Sequence, residues 1–362
     1  MADASMPRDV RAEDSFDVER VAEWLRENAT DAGEHGNCGL DGTPAAKQFA
    51  GGASNLTYQL TYPSGREVIL RRPPRGTKPK GAHDMAREFG IQQSLAPVYP
   101  LVASMLGHCA DESIIGSEFY VMDKLDGLIL RKDMPEGVGL DDTTTRDRLC
   151  SNAVHALVAL HSADLDVSGL RGLDRGSGYV ERQVGGWAER YRRARTEDVG
   201  DFEDVMAWLA EHMPAEQPHT MIHNDFRFDN LVLDRDEPTR IIGVLDWELA
   251  TVGDPLMDVG SALAYWAQAD DPRDVLNIRL QPTNADGMWT RDQVWTAYAD
   301  RRGITVSERD RRFYELFGTF RLAGIAQQIY YRFFHGQTTN PTAQFMGIVV
   351  HVLDTRCKEL LA

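Results

Sequence analysis

The sequence predicts an α+β protein with a small antiparallel β-sheet lobe followed by a larger, mainly helical lobe. Three observations lead there. Residues 47–74, KQFAGGASNLTYQLTYPSGREVILRRPP, alternate apolar and polar side chains between turn signals. From Asp142 onward helical periodicity dominates, as in TTTRDRLCSNAVHALVALHSAD and RRFYELFGTFRLAGIAQQIYYRFFHG. A single short β hairpin is expected within that helical region, LVL (231–233) and RIIGVL (240–245) joined by the turn-rich DRDEPT.

Taken in order, Asp17 followed by VERVAEWLREN is a capped helix with Val18, Val21 and Leu25 on one face. A Gly-rich polar connector, TDAGEHGNCGLDGTP, follows. NLTYQLTY and EVILRR then have strand character, with PSG turning between them. AHDMAREFGIQQSLA is helical and EFYVMDKL is a short strand. The chain therefore divides into an N-terminal helix and connector (1–44), a β-sheet lobe with one helix (45–122) and a helical lobe (123–362), with the change near Met122 to Gly127.

Composition narrows the function classes. The chain has 362 residues, 42% hydrophobic and 26% charged, a globular balance. A formal net charge of −17 argues against a nucleic-acid partner, which needs a basic surface. No apolar run approaches the ~20 residues that span a bilayer, so no membrane role is expected. The polar N-terminal segment and four scattered cysteines, without a C-x-x-C pair, point to a cytoplasmic protein with reduced thiols.

The hairpin has a chemical consequence. In an antiparallel pair the start of the first strand lies beside the end of the second. Asn230 precedes the first strand and Asp246 follows the second, so two oxygen ligands are expected to meet at one end. Magnesium takes hard oxygen ligands and usually only one or two from protein, the rest coming from phosphates and water. Glu248, two residues beyond Asp246, falls on the same side if the segment is extended and becomes a further metal candidate.

HNDFRFDN (223–230) resembles the catalytic loop H-x-D-x-x-x-x-N of kinase-fold enzymes, in the form used by aminoglycoside phosphotransferases and choline kinases. LDWE (245–248) resembles their magnesium-binding segment. FAGGASNLTYQL, VILRRPP and LDWELATVGDPLMDVG look like the kinase-like group associated with acyl-CoA dehydrogenases. The resemblance covers residues 45 to 350 and implies a protein-kinase-like two-lobed fold, ATP (or GTP) and Mg2+ as cofactors, and phosphoryl transfer to a hydroxyl.

It also implies roles. Asp225 is the base, and Asn230 and Asp246 hold magnesium, with Glu248 reaching a second ion. Arg71 stands where kinases carry the phosphate-gripping lysine, paired with Glu88; Arg72 is turned to the opposite face by the pleat. Gly51, Gly52, Ser54 and Asn55 cover the phosphates. Met122 and Lys124, in the hinge, present backbone groups to adenine. His223 braces the loop, and Asp254 and Asp258 are structural. The arginine at position 71 leaves two readings open, an active enzyme and a nucleotide-binding pseudokinase with a regulatory role.

Only seven residues separate Asp246 from Asp254, too few for the segment with which a protein kinase docks a peptide. A small-molecule acceptor is therefore favoured, such as a hydroxyacyl-CoA or an amino alcohol. ERQVGGWAERYRRAR (181–195), with Trp187 and Tyr191, and FRLAGIAQQIYYRFF (320–334) are candidate acceptor segments. The charge clues oppose each other: overall acidity suits a cation, the basic helix an anion.

Overall fold

The computed structural model describes residues 7–30, 38–49, 55–74 and 84–362. Gly51, Gly52 and Ser54 of the expected phosphate turn lie outside them. The chain forms two compact units: one from Met1–Ile129 and Ile242–Glu248, the other from Leu130–Ile241 and Leu249–Ala362.

The first unit contains β1 (Arg8–Asp9), α1 (Val18–Asn28), β2 (Ala45–Gln48), β3 (Leu56–Thr61), β4 (Glu67–Arg72), α2 (Met85–Leu95), β5 (Met105–Cys109) and β6 (Phe119–Asp123). The strands make one antiparallel sheet in the order β1-β2-β3-β4-β6-β5. The side chain of Asp17 accepts from the Arg20 amide and starts α1, which buries Val21, Ala22 and Leu25. Those residues pack with Tyr58, Leu60, Val68, Leu70 and Val121 on one side of the sheet. Ile69, Met105, Tyr120 and Met122 form the other cluster, with Met85 of α2.

The two-residue period of β4 decides which arginine can serve a site. Arg71 shares parity with Ile69, on the α2 side. Arg72 shares parity with Val68 and Leu70, on the α1 side. There its Nη2 and Nε donate to the Tyr58 hydroxyl at 2.9 and 3.1 Å, and its guanidinium lies 5.3 Å from the Phe16 and Tyr58 ring centroids. Arg72 is thus a fully enclosed member of the core.

The second unit begins with α3 (Thr143–His161), α4 (Tyr179–Ala194) and α5 (Glu203–Glu211). The strands β7 (Thr220–Ile222), β8 (Leu231–Leu233), β9 (Ile241–Val244) and β10 (Thr251–Gly253) follow in the chain, β9 belonging from Ile242 onward to the first unit. The second unit is completed by α6 (Pro255–Ala264), α7 (Arg273–Ile278), α8 (Arg291–Arg302), α9 (Glu308–Phe334) and α10 (Pro341–Leu361). The expected hairpin turn is closed by the Asp234 amide donating to the Arg240 carbonyl at 2.9 Å. One expectation needs correction: the hairpin is not the only β structure in this region of the chain. β7 and β10 pair antiparallel, with Ile222 opposite Thr251. Three-residue strands this far apart in sequence show no readable alternation.

Helices α6 and α9 approach backbone to backbone. A Cβ on Gly318 would lie 2.1 Å from the Gly260 carbonyl oxygen, and one on Gly260 would lie 2.2 Å from that of Tyr314. Gly318→Ala raises local helix propensity yet forces the helices apart, so we expect it to destabilise by roughly 1–3 kcal/mol, measured by urea unfolding. Among the described residues no helix is long and apolar enough to cross a membrane.

Candidate active site

In the first unit the candidate residues Arg71, Glu88 and Asp246 form one polar chain, buried at Glu88 and open at Asp246. Arg71 Nη1 lies 3.3 Å from Glu88 Oε2, and Nη2 lies 3.0 Å from Asp246 Oδ1. Glu88 is 1% exposed and also accepts from the Tyr120 hydroxyl and the Asn55 amide, both at 2.9 Å. Burial pushes the Glu88 carboxyl up; Arg71, Tyr120 and Asn55 oppose that shift. Arg71 remains a cation, because Tyr120, Asp246 and Glu88 together outweigh its desolvation. Its Nε is buried without a hydrogen-bond partner among the described residues. Asp246 is the open end of the chain: its side chain is 38% exposed and no described residue donates to Oδ2.

Backbone geometry marks the same residue. Asp246 has φ +66° and Asn224 has φ +64°, two of three non-glycine residues in the left-handed region among those described. Asp and Asn tolerate that region best. The expectation of an extended segment beyond Asp246 is wrong. Trp247–Leu249 forms a 3-10 turn, fixed by the enclosed Trp247, whose indole donates to the Val244 carbonyl at 2.9 Å. Glu248 therefore does not follow the two-residue period that made it a metal candidate, and its carbonyl accepts from Arg87 at 3.1 Å.

Other residues expected around the nucleotide are held by protein partners. Asn55 is 2% exposed and gives its amide to Glu88 instead of lying open at the phosphate turn. Met122 is paired opposite Ile69 in the sheet. Lys124 reaches Glu67 at 2.5 Å, and the Lys124 and Asp123 amides donate to the Glu67 and Ser104 carbonyls.

In the second unit, β7 ends at Ile222 and delivers the chain to the HNDFRFDN loop. Asn230 sits at the end of the 3-10 turn Phe228–Asn230 and donates from Nδ2 to the Asp225 carbonyl (2.9 Å) and Oδ2 (3.0 Å). Its Oδ1 accepts nothing from the described residues, so the ligand-capable atom is the oxygen. His223 is fully enclosed and its Nδ1 accepts from the Asp225 amide at 3.2 Å, a bracing contact. Arg227 Nε lies 3.3 Å from Asp225 Oδ2, its Nη2 lies 3.1 Å from Asp229 Oδ2, and its guanidinium covers the Tyr265 ring at 4.7 Å.

Asp258, inside α6, anchors this loop. Its carboxylate accepts from the His223 and Asn224 amides, both at 2.7 Å, and lies 3.1 Å from His161 Nε2. A carboxylate only accepts, so the His161 hydrogen belongs on Nε2 and the Tyr298 hydroxyl donates to Nδ1 at 2.7 Å. Burial alone would raise the Asp258 pKa; His161 and the loop amides outweigh it and hold it below 3.8. A depressed carboxyl contributes stability above its unfolded pKa and loses it as pH falls through the folded one. This contribution is therefore complete at neutral pH and disappears below pH 3.8. We expect Asp258→Asn to cost roughly 3–5 kcal/mol at pH 7, read by urea unfolding, and to remove some of the acid limb. Asp254 caps α6 at the Leu256 amide (2.8 Å) and accepts from the Gln217 amide (2.9 Å).

Two residues near the loop were not singled out from the sequence, although one of them falls within the candidate acceptor segment 320–334. Gln281, 1% exposed, accepts from the Phe228 amide at 2.8 Å and donates to the Tyr265 carbonyl at 3.1 Å. Arg321 is the other. Of the acceptor candidates, Tyr191 is core, enclosed and bonded to the Gly200 carbonyl at 2.7 Å; Trp187 is not fully enclosed and lies beneath Arg190 and Arg321.

Magnesium can be tested against this donor set. Asp246 Oδ2 and Asn230 Oδ1 are hard, unengaged oxygens of the kind the ion prefers. Among the described residues no group of three or more His, Cys, Asp or Glu forms a cage of its own. Each unit thus offers one oxygen of the kind taken by an ion that keeps most of its shell from phosphates and water.

A family model described as the phosphotransferase enzyme family matches residues 45–294, and the chain belongs to that family. Mouse acyl-CoA dehydrogenase family member 10 is 35% identical over 301 residues, which is 83% of this chain and 28% of that protein. The chain thus spans under a third of that relative's length. A solved Ralstonia eutropha protein, described provisionally as an aminoglycoside phosphotransferase, superposes with TM-score 0.79 at 29% identity, covering 96% of this chain and 98% of that one. Choline kinase from Cryptosporidium parvum shares the fold at TM-score 0.58 and 12% identity, with 95% and 94% covered. The fold is the α+β protein-kinase-like one.

Proposed function

We propose that this member of the phosphotransferase enzyme family moves the γ-phosphoryl group of ATP (or GTP) to a hydroxyl of a small molecule. One observation carries the reading: Arg71 is clamped between Glu88 and Asp246, so the arginine sits in an assembled ion chain rather than a decayed one. Its planar, permanently charged fork suits phosphate oxygens as well as lysine does. Asp225 takes the acceptor hydroxyl proton as that oxygen attacks the γ-phosphorus; the bond to the β-γ bridging oxygen breaks and the nucleoside diphosphate leaves. Asn230 and Asp246 would hold Mg2+, which when bound neutralises charge on the phosphates. His223 and Asp258 keep the loop in place. A hydroxyacyl-CoA or an amino alcohol is the acceptor class in view.

The test is transfer of label from γ-labelled ATP to a panel of small hydroxyl compounds, with Mg2+ and with chelator. Transfer that needs both Mg2+ and Asp225 supports the enzyme. Nucleotide binding with no transfer above an Asp225→Ala control replaces it with the regulatory pseudokinase.

A further inference from the structure

Helix α9 carries a buried cation that nothing in the proposed reaction uses. Arg321 is 6% exposed, yet no described residue accepts a hydrogen bond from it or pairs with its charge. Its guanidinium lies over the face of Trp187, 5.4 Å from the ring centroid. Gly324, three residues on, lets the indole lie against α9; a Cβ there would be 3.0 Å from the ring. None of the Arg321 guanidinium nitrogens is among the buried polar atoms that lack a partner, so with no described acceptor they keep contact with solvent, and the indole face supports the cation from one side. The charge therefore stands without a described counter-ion where an anionic ligand can reach it.

Its surroundings lead to the catalytic loop of the same unit. Tyr179 feels both the Asn224 side chain, next to Asp225, and the Arg321 charge. Tyr265 lies under Arg227, which pairs with Asp225, and feels Asp225, Arg227 and Arg321 together. Both phenols are pushed up to about 12, burial being the main cause, while Arg321 opposes the shift in each.

We propose that Arg321, backed by Trp187, binds an anionic oxyacid group of the acceptor, a carboxylate or a phosphate, and so selects anionic hydroxyl compounds over cationic ones. This rests on the phosphotransferase reading. It also decides between the opposed charge clues: the net charge of −17 is a property of the whole surface, whereas the unpaired guanidinium acts at the site.

The experiment has two arms on the full chain. Tryptophan fluorescence follows titration with inorganic phosphate, 3-hydroxybutyrate and choline, comparing wild type with Arg321→Met. The anions should perturb the wild type and choline should not. The substitution should weaken the preferred anion by at least about tenfold, the scale of one charged hydrogen bond, and the stronger wild-type anion identifies the oxyacid. In turnover, Arg321→Met should raise the acceptor KM by a similar factor with the ATP KM unchanged, and Arg321→Lys should recover some of the loss. Because the cation is unpaired, Arg321→Met should melt at or above the wild-type temperature. An unchanged anion titration in folded Arg321→Met overturns the assignment, as does a best acceptor that is cationic and insensitive to it. If no compound is phosphorylated, the enzyme reading fails while the titration still decides Arg321.

Discussion

Asp225→Ala is expected to lower kcat by roughly 10²- to 10⁴-fold, the range for a lost general base, while ATP affinity stays within a few-fold of wild type. The loop should survive the change. Asn230 still bonds the main-chain carbonyl of residue 225 at 2.9 Å, and His223 Nδ1 still receives its amide at 3.2 Å. Asp258 continues to hold the His223 and Asn224 amides. Single-turnover kinetics at saturating nucleotide separates the chemical step from binding. A variant that keeps full kcat removes Asp225 from the reaction.

Arg71→Met carries the second large effect, on stability and nucleotide binding together. It strands the Glu88 carboxylate, 1% exposed, with only Tyr120 and Asn55 as partners, and should cost about 3–5 kcal/mol in urea unfolding. Loss of a charged contact to phosphate adds roughly 10- to 100-fold in nucleotide affinity. The double substitution Arg71→Met with Glu88→Gln should recover some of the stability and none of the affinity, since it removes the stranded charge but not the need for a phosphate ligand. Arg71→Lys keeps a charge but cannot reach Glu88 and Asp246 with separate nitrogens of one rigid plane, so an intermediate loss is expected. Equal affinity in wild type and Arg71→Met would mean that the arginine serves only the fold.

Legibility in the sequence followed the range of each interaction. The strand pattern of EVILRR is local, and it alone separated Arg71 from Arg72 by parity. The roles of Asp225 and Asn230 came from the resemblance, but their contact did not, because the 3-10 turn Phe228–Asn230 that brings them together has no local sequence signature. Glu88 became readable through the resemblance, because its partner Arg71 comes from another element. Contacts with no local signature were not readable. Asp258 could be called structural, but not that its two oxygens would hold the HNDFRFDN-loop amides from 34 and 35 residues away. Gln281 reaches Phe228 across 53 residues from an unremarkable loop. Glu248 was misread because a two-residue period was assumed where Asp246 adopts φ +66° and the chain turns. Asn55, in a Gly-rich stretch, looked like a surface donor, and only its burial reveals a link to Glu88.

The most direct test of the account is calorimetric titration of ATP, with Mg2+ and with chelator, into wild type, Asn230→Ala and Asp246→Asn. Magnesium should tighten wild-type binding, and either substitution should abolish that gain while leaving metal-free ATP binding nearly unchanged. A magnesium gain that persists undiminished in either variant contradicts the magnesium role proposed for that residue.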